Sequence, residues 1–471
     1  MIIRNRLIAG ALAGLVGGVV AAVLAKPEIG IVAHLLVSLV LGALFGLGLG
    51  SRLDTAGSSL MWGQAFGLLW WLIGPLSLLP LLYGEGLLWT VTDIQTNFAL
   101  LPANLVGFGA VWGLGSFVIG RFLPLNSTTT EVKGLVAPEL VPSWGQALIV
   151  GGLGGLLGSW VFLRGIETAN FFPLVASIIG MDTYMAGVLL HYIIGIIIAI
   201  TFALLFNQDI RGAGSALVWG LSYGILWWVI GPLTLLPLLT GAPVTWSLEA
   251  AQANFASLVA HLLYGAMVGW FYAVINGIWR TLFIDSDPLN RTREGRGVAN
   301  VRGLLMGQMG GILGGLLFTF VMIGIGALPY VANLVGSRSP AVGWLVHLII
   351  SIIIGSSFGL LFQHEAYSYG AGMSWGVLYG VLWWLLGALT LFPALLRQPI
   401  DWSLGAATAN YAPLIGHLLY GLGLGLLYQY LARRHDPALQ TRRERARGTV
   451  AAAMWASTLF IVVMLPLLLS S

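Results

Sequence analysis

The 471-residue chain has no cysteine, which excludes disulfides, thiolate metal sites and cysteine redox chemistry. It is nearly as poor in charge. Asp, Glu, Lys and Arg together make up 8% of the residues, against about 25% in an average soluble domain, too few to wet the surface of a soluble fold. The carboxylates Glu28, Glu85, Asp93, Glu167, Asp182, Glu249 and Asp401 fall at or near connections that read as outer loops, and none recurs at one position along the chain. A proton- or sodium-coupled carrier keeps a carboxylate inside the membrane, so coupled transport is disfavoured, and hydrolytic chemistry with it. The sequence also has no Walker loop, no GxSxG elbow, no HExxH pair and no GxGxxG in a strand-helix context, which removes nucleotide binding and the common catalytic motifs.

In their place are long apolar runs. Hydrophobic residues reach 58% and the mean hydropathy is +0.92. Apolar stretches near or above the length that crosses a bilayer, about 18 to 20 residues, recur from end to end, so the membrane segments are the fold. The 65 glycines and 19 tryptophans fit close helix packing and interfacial anchoring. The formal charge of +4 calls for no nucleic-acid partner, because the cations mark topology.

The strongest signal is an internal repeat with a period of 157 and then 156 residues. His34, His191 and His347 begin HLLVSLVLG, HYIIGIIIA and HLIISIIIG; Trp62, Trp219 and Trp375 follow 28 residues later, and Asn97, Asn254 and Asn410 another 35 after that. GALAGLVGG at 10–18 parallels 151–159 and 307–315, so the N-terminal run, with Arg4 and Arg6 before it and Ala25 near its end, reads as a retained first helix and not as a signal peptide.

The expected fold is therefore all-α: three tandem parallel four-helix transmembrane repeats, twelve spans in all, plus one C-terminal transmembrane helix, set about a pseudo-threefold axis. The boundaries are 1–123, 144–282 and 302–433 for the repeats, 124–143, 283–301 and 434–448 for polar or basic linkers, and 449–471 for the terminal helix. An even number of spans per repeat gives parallel copies, unlike the inverted repeats of many carriers. All 21 Lys and Arg except Lys26, Arg164, Arg338 and Arg397 fall on one side. Since such residues are retained in the cytoplasm, the expectation is a multi-pass protein of the cell inner (plasma) membrane, N-terminus cytoplasmic and C-terminus outside. Asn126 and Asn290 match glycosylation sequons but fall in cytoplasmic linkers, where they would stay unmodified.

The polar residues inside the spans are the site candidates, because a membrane core penalises them. His34, His191 and His347 head the second helix of each repeat; His261 and His417 lie in the fourth, where the first repeat has Asn104, followed by Gly107 where the others have Tyr264 and Tyr420. Asn254 and His261, like Asn410 and His417, are seven apart, which puts them on one helical stripe about 10 Å apart. Three readings follow. The histidines, with Asn97, Asn104, Asn254 and Asn410, hydrogen-bond between helices. Alternatively, His191 with His261 and His347 with His417 ligate a haem or other tetrapyrrole, His34 being the weaker candidate for want of a partner. Or the second-helix histidines ring a pore or a three-imidazole metal site, which needs those helices innermost.

Trp70-Trp71, Trp227-Trp228 and Trp383-Trp384, with Trp89, Trp246 and Trp402, read as core packing, with a stacking surface as the alternative; Trp62, Trp219 and Trp375 fit an aromatic belt. Gly74-Pro75 and Gly231-Pro232, followed by Pro80, Pro237 and Pro393, are expected to bend or break the third helix of each repeat. The functional expectation is a pseudo-trimeric pore, transport or scaffold subunit in the lipid bilayer, with other membrane subunits as partners and no evident catalysis. The alternative is a redox or pigment protein built on the paired histidines.

Overall fold

The computed structural model describes residues 2–24, 30–123, 143–164, 171–210, 212–244, 246–283, 296–441 and 450–469. Lys26, Glu28, Lys133, Glu167, Arg211, Arg291, Arg293, Arg442, Arg443, Arg445, Arg447 and the sequon residues Asn126 and Asn290 lie outside the described residues. Among the described residues the regular elements are helices, without a strand.

Twelve of these helices are long and apolar enough to cross a membrane, which makes the chain a polytopic membrane protein. They are α1 (Ile2–Leu24), α2 (Ile31–Leu49), α3 (Ala56–Leu82), α4 (Leu100–Gly120), α5 (Trp144–Leu163), α6 (Tyr184–Phe206), α7 (Ala213–Leu239), α8 (Phe255–Phe283), α9 (Arg296–Gly324), α10 (Pro340–Phe362), α11 (Tyr369–Leu395) and α12 (Tyr411–His435). A further helix, α13 (Val450–Leu469), follows. Taken four at a time, the first helix of each set packs on the second and the fourth, and the third packs on the fourth. The least buried span is a second helix, α6, 22% buried, and the most buried a fourth, α8, at 61%.

Glycine makes the third and fourth helices touch along their backbones. A Cβ added to Gly63, Gly220 or Gly376 would strike the carbonyl oxygen of Gly109, Gly265 or Gly421. With little hydrophobic force between helices in lipid, such backbone approach supplies the packing that holds them together.

Those contacts also locate a one-residue insertion. Asn97 and Asn254 are 157 apart, whereas Gly109 and Gly265 are 156 apart. The extra residue lies in Asn104–Ala110, which is wound as a π-helix within α4. A π turn absorbs one inserted residue without breaking the helix.

The proline-containing helices behave in a related way. α3 and α7 do not break at Gly74-Pro75 and Gly231-Pro232 but widen into π turns over Gly74–Leu78 and Gly231–Leu235; α11 does so over Trp384–Leu391, where Ala388 stands in the proline's place. A hydroxyl then satisfies a carbonyl five residues back: Ser77 to Leu72 at 2.8 Å, Thr234 to Val229 at 2.7 Å and Thr390 to Leu385 at 2.8 Å. Each hydroxyl in turn accepts from the indole N–H of Trp89, Trp246 or Trp402, at 3.0 Å in all three places. These tryptophans therefore pin the connection between third and fourth helices.

The sets meet along seams. α6 packs on α3, and the Thr55 hydroxyl at the start of α3 donates to Asp209 after α6 at 2.6 Å. α10 packs on α7, and Ser215 of α7 donates to Glu365 after α10 at 3.2 Å. Asp209 and Glu365 are buried. The residue 157 before Asp209 is Arg52, whose guanidinium lies 5.1 Å over the Trp62 ring.

Against α11, the place of a second helix is taken by α13, which also packs on α3 and on the short helices Leu248–Ala253 and Leu404–Ala409. Ile461, Met464, Leu465, Leu467, Leu468 and Leu469 are all buried. They span about 200° of the helix circumference, and Val462, Val463 and Pro466 on the remaining side are partly buried.

Trp62, Trp219 and Trp375 do not form the expected belt. All three are buried, Trp219 against Phe206 at 5.3 Å and Trp375 against Phe362 at 5.7 Å. The sequence places them at the ends of spans, but these ends face the seams, where neighbouring loops cover them.

Candidate functional site

The five histidines of the spans all sit toward the ends of their helices that carry the Asn97, Asn254 and Asn410 connections. In the second set the imidazoles of His191 and His261 both contact one ring, Phe162 of α5, with centroids 4.7 and 5.0 Å from it. In the third set His347 and His417 share Phe318 of α9 at 5.1 and 4.7 Å. Each pair that the sequence reading named thus contacts a common ring, and that reading missed the phenylalanine. The signal was available, because Phe162 and Phe318 are 156 apart and Ala21 stands at that register in the first repeat.

Hydrogen bonds fix the ring tautomers, since a carbonyl only accepts. His34 and His347 donate from Nε2 to the carbonyls of Gly18 and Gly315 on the adjacent first helix, each at 3.0 Å. His191 has the matching Ser159 carbonyl beside it, yet its buried Nε2 closes no hydrogen bond of normal length. In the fourth helices the bond is local: His261 Nδ1 donates to Ser257 at 2.7 Å, and His417 Nδ1 to Pro413 at 2.8 Å. Nε2 of each then carries a lone pair. It faces the backbone of the third helix, where a Cβ on Gly231 would lie 3.9 Å from His261 Nε2 and one on Gly387 4.0 Å from His417 Nε2.

Asn104 reproduces this local bond. Its Nδ2 donates to the Leu100 carbonyl at 2.6 Å, four residues back as in the histidines, while its buried Oδ1 has no partner. The residue matching Tyr264 and Tyr420 is Phe108 and not Gly107, because Phe108 directly precedes Gly109, the partner of Gly63. The inserted residue had shifted that part of the alignment. Phe108 packs 5.8 Å from His34 and 5.0 Å from the buried Trp112.

The second and third sets share further polar contacts that the sequence reading did not single out. Tyr223 bonds Thr201 at 2.7 Å and Tyr379 bonds Ser357 at 2.6 Å. Tyr264 donates to the Gly195 carbonyl, and Tyr420 to that of Ser351 at 2.7 Å. The first repeat has Leu44 and Phe66 where the second has Thr201 and Tyr223, so its core there is apolar.

The connection asparagines have a different role. Asn97, Asn254 and Asn410 turn their amides back to carbonyls in their own short helices, Asp93, Ala250 and Ala406, each at 2.9 Å. Their main-chain carbonyls make the contact between helices, accepting from the indoles of Trp71 at 3.2 Å, Trp228 at 3.1 Å and Trp384 at 2.9 Å. The second tryptophan of each pair is thus a core residue whose N–H finds the partner that burial demands.

These positions bear on the ligand readings. Each phenyl contacts both imidazoles of its set. Among the described residues no group of three or more His, Asp or Glu side chains is placed to hold a metal ion. His34 and His347 bond within their own sets, and α6, the helix of His191, is the least buried span, which is not the arrangement a central imidazole ring requires.

Compared with known protein families, with curated proteins and with solved structures, the chain matches none.

Proposed function

We propose that the chain is a scaffold subunit of a membrane complex, made of three copies of one four-helix unit about a pseudo-threefold axis and closed by α13. The observation that carries this reading is the position of α13, seated between α3 and α11 with apolar side chains buried over more than half of the circumference of its end. A transport path needs a polar or water-filled route, whereas this seam is packed with Met464, Leu465 and Leu468. The matched seams of Thr55 with Asp209 and of Ser215 with Glu365 support the repeated-unit arrangement. The bias of Lys and Arg to one side supports a cytoplasmic N-terminus in a plasma membrane, with the end of α13 outside.

On this reading His34 and His347, which bond to the adjacent first helix, set helix register. Each interhelical hydrogen bond of this kind is worth about 1 kcal/mol in a membrane, and repetition adds geometry that one bond would not fix. The test is reconstitution of the full chain in liposomes under salt and proton gradients, together with native mass measurement of the protein from its own membrane in mild detergent. Permeability no greater than that of protein-free liposomes, with other subunits bound, is expected. Sustained ion flux, or a chain that runs alone, would overturn the proposal.

A further inference from the structure

Both seams between sets are built the same way. The last turn of a second helix lies against the start of the third helix in the set before it: a Cβ on Gly57 would meet the Phe206 ring and the Leu205 carbonyl, and one on Gly214 the Phe362 ring and the Leu361 carbonyl. Glycine at these starts lets the backbones approach. Just beyond, the buried carboxylates of Asp209 and Glu365 accept from the hydroxyls of Thr55 and Ser215.

No set precedes the first, and the matching surface of α2 is bare. Gly48 and Leu49 stand at the register of Leu205 and Phe206. Gly48 is exposed, and a Cβ there would meet nothing within 4 Å. Arg52 stands at the register of Asp209 and Glu365, yet it too is exposed. α2 packs on α1 and α4 of its own set, whereas α6 and α10 also pack on α3 and α7. The third helix that would meet α2 by register is α11, and α13 holds the place against it.

The opposite end of the first set is uncovered as well. Trp89 is 63% exposed, against 6% for Trp246 and 3% for Trp402. All three indoles turn their N–H inward to a hydroxyl. A tryptophan that anchors a helix at the interface keeps its polar tip for the wet side; Trp89 offers only its ring. The short helix Val91–Thr96 has no buried residue, whereas Ala251 and Ala407 of its counterparts are buried and those helices pack on α13.

We propose that this bare side of the first set, with Gly48 and Arg52 at its centre, seats a membrane helix of a different subunit. The inference rests on the reading of the chain as a scaffold subunit and names the kind of partner. A second copy has no third helix to offer, because its α3, α7 and α11 are taken by α6, α10 and α13. Charge sets the partner's chemistry. The inner seams present a carboxylate at this register and this one presents a guanidinium, so the partner helix brings an Asp or Glu to Arg52, a charge-assisted contact. Its backbone approaches at Gly48, where no side chain stands in the way.

The test places photoreactive benzoylphenylalanine at position 48 of the full chain, irradiates it in its own membrane and identifies the cross-linked peptides by mass spectrometry. The expected adduct joins position 48 to another membrane protein, at the start of a membrane helix that carries an Asp or Glu. Arg52→Glu is expected to lower its yield at least about fivefold, as like charges at an interface repel, and reversing the partner's acid to Arg is expected to restore it. The same probe at Leu189, exposed on α6, is expected to label lipid. Lipid adducts alone at position 48, adducts to a second copy of this chain, or a yield indifferent to Arg52→Glu would overturn the proposal. Gly48→Trp, which fills open space, supplies an independent measurement: native mass analysis is expected to show one bound subunit lost. Subunits bound equally to the wild type and Gly48→Trp would overturn this seam and leave the scaffold reading standing, whereas a wild-type chain that runs alone would overturn both.

Discussion

Ser374 of α11 and Thr458 of α13 share a hydrogen bond of 2.9 Å, and both side chains are buried. The bond crosses 84 residues of sequence and fixes α13 to the helix that lacks a neighbouring set. α11 stands to α13 much as α3 stands to α6 and α7 to α10. One terminal helix thereby stands against α11 where α3 and α7 meet α6 and α10.

Backbone contact between third and fourth helices makes glycine substitutions position-dependent. A Cβ at Gly376 would strike the Gly421 carbonyl, whereas one at Gly277 would meet nothing within 4 Å. Gly376→Ala is expected to destabilise by about 1–3 kcal/mol, as overpacking does. Gly277→Ala is expected to stabilise by up to about 1 kcal/mol, the propensity gain in a helix. Unfolding by sodium dodecyl sulfate in mixed micelles measures both, and similar effects at the two sites would contradict the packing described.

The relay from Trp246 through Thr234 to the Val229 carbonyl should behave as a unit. Trp246→Phe and Thr234→Val are each expected to cost about 1 kcal/mol. The double variant should cost less than the two effects added, with a coupling of at least about 0.5 kcal/mol in the same assay. Strict additivity would mean that the indole and the hydroxyl act independently.

Asn104 already performs the local bond that His417 makes, so His417→Asn is expected to change stability by less than about 0.5 kcal/mol, whereas Phe318→Ala, which empties the space between two helices and two imidazoles, should cost about 3–5 kcal/mol. Absorption spectra of the same preparations bear on the ligand reading. A Soret band present in the wild type and lost in His417→Asn would show that His417 holds a tetrapyrrole.

The all-helical fold and its twelve spans were legible in the sequence. Apolar run lengths marked the spans, and spacing paired His191 with His261, whose rings both contact Phe162. What spacing could not carry was direction. Trp71 and Asn97 are linked through a backbone carbonyl, which no side-chain pattern encodes. Gly107 was matched to Tyr264 because the extra residue in Asn104–Ala110 is invisible until the Gly63–Gly109 contact fixes the register. Nothing in the local sequence marks Asp209 and Glu365 as buried, because the seam that buries them joins segments about 150 residues apart.

The placement of α13 is the claim on which the closed scaffold rests, and the absence of native cysteine allows a clean test. Ser374→Cys with Thr458→Cys puts two thiols where two oxygens now lie 2.9 Å apart, close enough for disulfide geometry. After mild oxidation and trypsin cleavage at the arginines between 442 and 447, the α13 fragment is expected to stay attached to the rest of the chain until reductant is added. Release of that fragment without reductant would contradict the account.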